Sequence, residues 1–152
     1  MSSPRSVRFD QAVLRRLDRY IRAHPGTSAS SMTNLFVDEA LRADEHPGVV
    51  FRPGPTGRRA GLVGGPDIWE VIGTLRGVQH DVAELTGEAL VMEVADALGL
   101  SVAKVRTAVR YYLAYPDDVD ERITANEAEA ATAEAAWLAE QALLRQPRRA
   151  AG

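Results

Sequence analysis

Hydrophobic spacing changes character within the first forty-five residues. Val7 and Phe9 alternate with Ser6 and Arg8, the period of two expected of a strand that buries one face. From residue 11 the spacing becomes helical. Val13, Leu14, Leu17, Tyr20 and Ile21 form one apolar stripe on a helix at about 11–24, with Asp10 as its N-cap and Pro25-Gly26 as its stop. Arg15, Arg16, Arg19 and Arg22 lie mostly off that stripe. Thr27, Ser28 and Ser30 open a second helix whose apolar positions are Met32, Leu35, Phe36, Val37, Ala40 and Leu41. One strand with two helices leaves both strand edges unpaired. The arrangement becomes stable when two chains pair their strands. Such a dimer would enclose Val7, Phe9, Leu17, Tyr20, Met32, Leu35 and Phe36, and turn Ser6 and Arg8 outward.

Further along, His46-Pro47-Gly48 breaks the chain. Val49-Val50-Phe51-Arg52 and Arg59-Ala60-Gly61-Leu62-Val63 flank Pro53-Gly54-Pro55-Thr56-Gly57, which reads as a hairpin or as two extended segments around a turn. Asp67 is a candidate N-cap for a helix at 68–76, with Ile68, Trp69, Ile72 and Leu75 on one face. Residues 77–87 read as a loop or a broken helix. A helix at about 88–98 ends at Gly99, and Ser101 caps another at about 102–114, ended by Pro116. A last helix begins near Asp118 and runs to about Leu144. Its stripe is thin: Ile123, Ala130, Trp137 and Leu144 recur every seven residues among Ala, Glu and Gln.

The formal net charge of −3 argues weakly against a nucleic-acid partner, but its distribution argues the other way. Residues 1–26 carry six arginines against Asp10 and Asp18, a net of +4, whereas residues 63–152 carry eight basic and fifteen acidic side chains, a net of −7. This asymmetry suggests a basic binding module joined to an acidic remainder. There is no cysteine, so neither disulfides nor thiolate chemistry arise. There is also no apolar run of membrane-spanning length and no apolar leader near the N-terminus. A cytoplasmic protein without membrane association is therefore expected.

The segment Val7-Arg8-Phe9-Asp10, the Leu17 and Tyr20 stripe, and Gly26-Thr27-Ser28-Ala29-Ser30 together resemble the ribbon-helix-helix family, the CopG- and Arc-like DNA-binding proteins. The resemblance implies antiparallel pairing of strands from two chains and insertion of that ribbon into the major groove of double-stranded operator DNA. Ser6 and Arg8 would then contact bases. Arg8, bidentate to guanine, would supply roughly 1–3 kcal/mol of discrimination. Thr27, Ser28, Ala29 and Ser30 would hold a phosphate at the start of the second helix, assisted by Arg5, Arg15 and Arg16. Ala29 departs from the pattern, because many relatives carry Arg or Lys there.

The middle of the chain resembles a helix-turn-helix-like domain found in bacterial antitoxins. The matching pieces are His46-Pro47-Gly48-Val49, Gly57-Arg58-Arg59, Asp67-Ile68-Trp69-Glu70-Val71, Gly99-Leu100-Ser101-Val102 and the run from Val105 through Tyr111-Tyr112 to Tyr115-Pro116. The Gly-Gly-Lys-Pro start common in that family is missing. Lys104, Arg106 and Arg110 share a face of the second helix of this unit roughly. Even so, packing or partner binding is the expected use of the unit, and Tyr111, Tyr112 and Tyr115 are expected in core and interface. The antitoxin resemblance implies a small toxin as partner, bound through the C-terminal part with Trp137 and Leu144 as anchors.

Nothing in the chain points to an enzyme. His24, His46 and His80 have no metal-ligand spacing, no nucleophile elbow is present, and Gly61-Leu62-Val63-Gly64-Gly65 lacks the phosphate-loop Lys-Ser/Thr. No catalytic residue, metal or cofactor is therefore expected. The expected fold class is mainly α. It comprises a ribbon-helix-helix at 1–45, a hairpin plus helix-turn-helix-like domain at 46–117, and a helical tail at 118–152. The expected function is that of an antitoxin-like autorepressor acting as a homodimer or dimer of dimers. The alternatives are a stand-alone ribbon-helix-helix transcription factor and a dimeric adaptor that never touches DNA.

Overall fold

The computed structural model of the chain describes residues 6–145; Arg5, an expected phosphate contact, lies outside them. The described residues form six helices and one two-stranded antiparallel sheet, and the chain divides into two compact units, Met1–Glu45 and His46–Gly152. The architecture is mainly α.

The first unit holds α1 (Gln11–Ala23) and α2 (Ala29–Glu45). Asp10 occupies the N-cap position of α1, and its carbonyl accepts from the N–H groups of Val13 and Leu14, both at 3.0 Å. Its carboxylate makes no cap hydrogen bond, contrary to the expectation for an Asp cap. The helix stops at His24, held extended (φ −129°, ψ 77°) by the proline that follows it, and Gly26 at φ +90° reverses the chain. Residues 6–10 run into α1 without strand pairing. Among the described residues the only strand pairing is that of β1 with β2, in the second unit.

The second unit begins with a hairpin. β1 (Val49–Gly54) pairs with β2 (Gly57–Leu62) in the register Val49↔Leu62, Phe51↔Ala60, Arg52↔Arg59 and Gly54↔Gly57. Pro55 and Thr56 make the two-residue connection. Because proline cannot take the positive φ of the mirror-image hairpin turns, Gly57 at φ +110° supplies the reversal. Alternation sends Val49, Phe51, Ala60 and Leu62 to one face, against the helices, and Arg52 and Arg59 to the other.

Four helices complete the unit: α3 (Ile68–Asp81), α4 (Gly87–Leu98), α5 (Val102–Ala114) and α6 (Pro116–Leu144). α3 runs on through Gly77 to Asp81, past the end expected at residue 76. Leu75 and Val78 pack against the core, and that burial outweighs the roughly 1 kcal/mol a mid-helix glycine costs. Gly99, in the left-handed conformation (φ 63°, ψ 35°), ends α4. Ser101 starts α5 with its hydroxyl accepting the Lys104 N–H at 3.3 Å. α6 starts at Pro116, two residues before the expected position, because proline at the first helical position sacrifices no bonded N–H.

The core is made by Val49, Leu62, Ile68, Val71, Ile72, Leu90, Val94, Ala95, Val105, Ala108, Tyr111, Val119 and Ile123, all buried. Tyr111 lies at its centre, in edge-on ring contacts with His46 (5.4 Å) and Phe51 (6.3 Å), and beside Tyr115 (5.1 Å). The first two turns of α6 belong to this core through Val119 and Ile123. From Thr124 to Glu140 every residue of α6 is exposed.

Candidate nucleic-acid interface

Among the described residues of the first unit, no apolar side chain is buried. Val7 is 67% exposed. Phe9, Leu17, Tyr20, Met32, Leu35 and Phe36, the other expected dimer-core positions, are each only partly buried. Tyr20 meets Phe36 edge-on at 5.0 Å and stacks on His24 at 3.9 Å. Around these rings lies an open apolar cleft of about 400 Å³, lined by Phe9, Val13, Leu17, Tyr20, Phe36 and Val37 with Thr33, Ala40 and the stem of Arg16. Phe9 thus shares that cleft with the α1 and α2 stripes, whereas Ser6 and Arg8 do not line it. Both are exposed.

The arginines of α1 are solvated. Arg15 donates to the Gln11 side chain at 3.4 Å and the Nε of Arg16 to the Ala12 carbonyl at 3.2 Å, local contacts that leave most guanidinium donors unused.

At the start of α2 the four expected phosphate contacts divide. Thr27 spends its N–H (3.3 Å) and its hydroxyl (2.8 Å) on the His24 carbonyl, closing the turn. Ser28 and Ser31 cap each other: the Ser28 hydroxyl accepts the Ser31 N–H at 3.1 Å, and the Ser28 N–H donates to the Ser31 hydroxyl at 3.2 Å. The N–H groups of Ala29 and Ser30 remain without a partner among the described residues, at the positive end of a seventeen-residue helix. Ala29 therefore has a backbone donor to offer even though its side chain has none. Sequence reading missed the role of Ser31, whose position three residues after Ser28 was the available signal.

In the second unit the basic face of α5 is largely spent within the chain. Lys104 Nζ donates to the Gly64 carbonyl at 3.1 Å, Arg106 pairs with Glu88, and Arg110 donates to the Thr107 hydroxyl at 3.3 Å. Sequence reading also missed a charged clasp on the outer face of the hairpin. Arg52 and Arg59 stand directly opposite each other, a repulsive pairing by itself. The buried Asp67 carboxylate lies between them, accepting from Arg52 Nη2 at 2.9 Å and pairing with Arg59. Each guanidinium lies over a glycine of the neighbouring strand. A Cβ on Gly61 would fall inside the Arg52 guanidinium, and one on Gly54 inside that of Arg59. The sequence offers Asp67 only as an N-cap; in the structure its N–H donates to the Glu70 carboxylate at 2.7 Å while its own carboxylate serves the clasp.

A second polar cluster joins α3, α5 and α6. Arg76 donates to Tyr112 Oη at 2.7 Å and Asp120 at 2.6 Å. The Asp120 hydrogen bond raises the Arg76 pKa against the opposing effect of partial burial, so the group stays cationic at any ordinary pH.

The expected anchors on α6, Trp137 and Leu144, are 54% and 70% exposed, with Leu138 and Leu143 exposed beside them. The helix carries eight carboxylates against Arg122, a net of −7. Among the described residues no cluster could hold a metal ion, and no helix is long and apolar enough to cross a membrane.

Comparison with known proteins finds no matching family model, no matching curated protein and no matching solved structure.

Proposed function

We propose that the chain is a dimeric, sequence-specific DNA-binding protein of ribbon-helix-helix type, acting as an antitoxin-like autorepressor. The observation that carries this reading is the first unit's combination of an uncovered apolar face with the exposed arginines of residues 8–22. Two helices and an extended segment bury no apolar side chain of their own, so they need a covering surface. A second copy supplies it with the same stripe: the strands pair, Phe9 and the α1 and α2 stripes meet their equivalents, and the open cleft closes. The outward positions of the resulting ribbon are then Ser6 and Arg8, flanked by Arg15 and Arg16 and by the free N–H groups of Ala29 and Ser30. That is a base-reading centre between phosphate-holding flanks.

The partner side of the proposal rests on α6. An exposed helix of net charge −7 with Trp137, Leu138, Leu143 and Leu144 uncovered suits a basic protein with an apolar groove, the kind of surface a small RNase-like toxin offers.

The test is Arg8→Ala. It is expected to abolish selective binding to the operator upstream of the protein's own gene, while the dimer survives in sedimentation equilibrium. A variant that retains normal affinity and sequence preference contradicts the ribbon assignment.

A further inference from the structure

A second cleft, of about 210 Å³, opens in the second unit between the hairpin tip, the first turn of α3 and the middle of α6. None of its lining residues is among those assigned above to DNA, and neither Trp137 nor Leu144 lines it. Its apolar wall is Pro55, Trp69 and Ala125. Its polar groups fall into two sets. Arg59, Asp67 and Glu70 are committed to the clasp and to the start of α3. Arg122, Asn126 and Glu129 are not. Among the described residues Arg122 makes a single long hydrogen bond, 3.4 Å to the Thr56 carbonyl, and the side chains of Asn126 and Glu129 make none.

These three residues stand at i, i+4 and i+7, one face of α6. They therefore present a guanidinium, an amide and a carboxylate in order along the cleft. The Cα atoms of Arg122 and Glu129 are about 10 Å apart along the helix axis. Among the described residues no ion pair joins Arg122 to Glu129, so the two charged ends line the cleft without neutralising each other.

A monoanion or a monocation would satisfy one end and face like charge at the other. A molecule carrying both charges satisfies both. A cavity of about 150 Å³ holds six carbon atoms, so this cleft takes about eight or nine heavy atoms. We infer that the cleft binds a free apolar α-amino acid, its carboxylate on Arg122, its ammonium on Glu129, and its side chain against Trp69 and Pro55. Asn126 bridges the two charged groups, offering a donor to one and an acceptor to the other.

The chain's two tryptophans make the test direct. In the full chain carrying Trp137→Phe, Trp69 is the remaining indole and lines the cleft. Titration with L-leucine is expected to give a saturable change in its emission. Isovalerate and isoamylamine, which each keep one of the two charges, are expected to bind at least about tenfold more weakly. Arg122→Gln and Glu129→Gln are each expected to weaken L-leucine binding by a similar factor, with circular dichroism unchanged, because both side chains are at the surface. No saturable change at millimolar L-leucine, equal binding of the singly charged analogues, or indifference to both substitutions would each overturn the assignment.

Discussion

At the scale of single residues, the hairpin clasp shows how a charge pattern that looks unfavourable becomes stable. Two arginines opposite each other repel, and the one buried carboxylate between them turns the repulsion into a shared ion pair. The glycines follow from the arginines: Gly54 and Gly61 are small because a guanidinium lies across each. Gly61→Ala should therefore lower stability by about 1–3 kcal/mol, by pushing the Arg52 guanidinium off Asp67. The same change in an Arg52→Ala background should cost under about 0.5 kcal/mol, since nothing remains to be displaced. Urea unfolding of the four proteins in that cycle measures the coupling. Additive losses would mean that Gly61 matters for backbone conformation alone.

At the scale of elements, helices whose two ends carry strong signals were legible. Pro25-Gly26, Gly99 and Ser101 placed the boundaries of α1, α4 and α5 to within a residue or two, because each signal is local backbone chemistry. The continuation of α3 past residue 76 was not legible. It depends on Leu75 and Val78 finding the core, which is a tertiary fact. The clasp was hidden for the same reason. Arg52, Arg59 and Asp67 meet only once the register is set. The strand expected at residues 6–10 from a period of two is not formed in the chain by itself; on the proposed function it forms by pairing with a second molecule. The arginine-rich exterior of α1 and the thin stripe of α6 were both readable from spacing alone. α6 itself divides after Ile123, where burial ends. Truncation there should change the unfolding free energy of the second unit by less than about 1 kcal/mol, because none of the described residues beyond Ile123 is buried. It should also abolish neutralisation of a cognate toxin while leaving DNA binding intact. Neutralisation that survives the truncation would move the partner site into the hairpin and its helices.

At the scale of the whole molecule, the chain segregates charge: a basic stretch over residues 1–26, within a first unit that has an open apolar face, and an acidic second unit that holds its own core. On the proposed pairing of two first units, their unfolding should depend on concentration. Each tenfold dilution should lower its melting temperature, whereas the melting of the second unit stays fixed. Leu17→Lys, which places a charge in the shared apolar cleft, should remove the first transition and give monomers in sedimentation. The central claim is that this dimer reads DNA. It is tested most directly by measuring the affinity of the purified protein for the DNA upstream of its own gene across a salt series, with scrambled DNA as competitor. Selective binding whose logarithm falls with log salt at a slope of about −4 or steeper is predicted, from at least two phosphate contacts per protomer. Affinity equal for scrambled DNA, or a slope near zero, would contradict it.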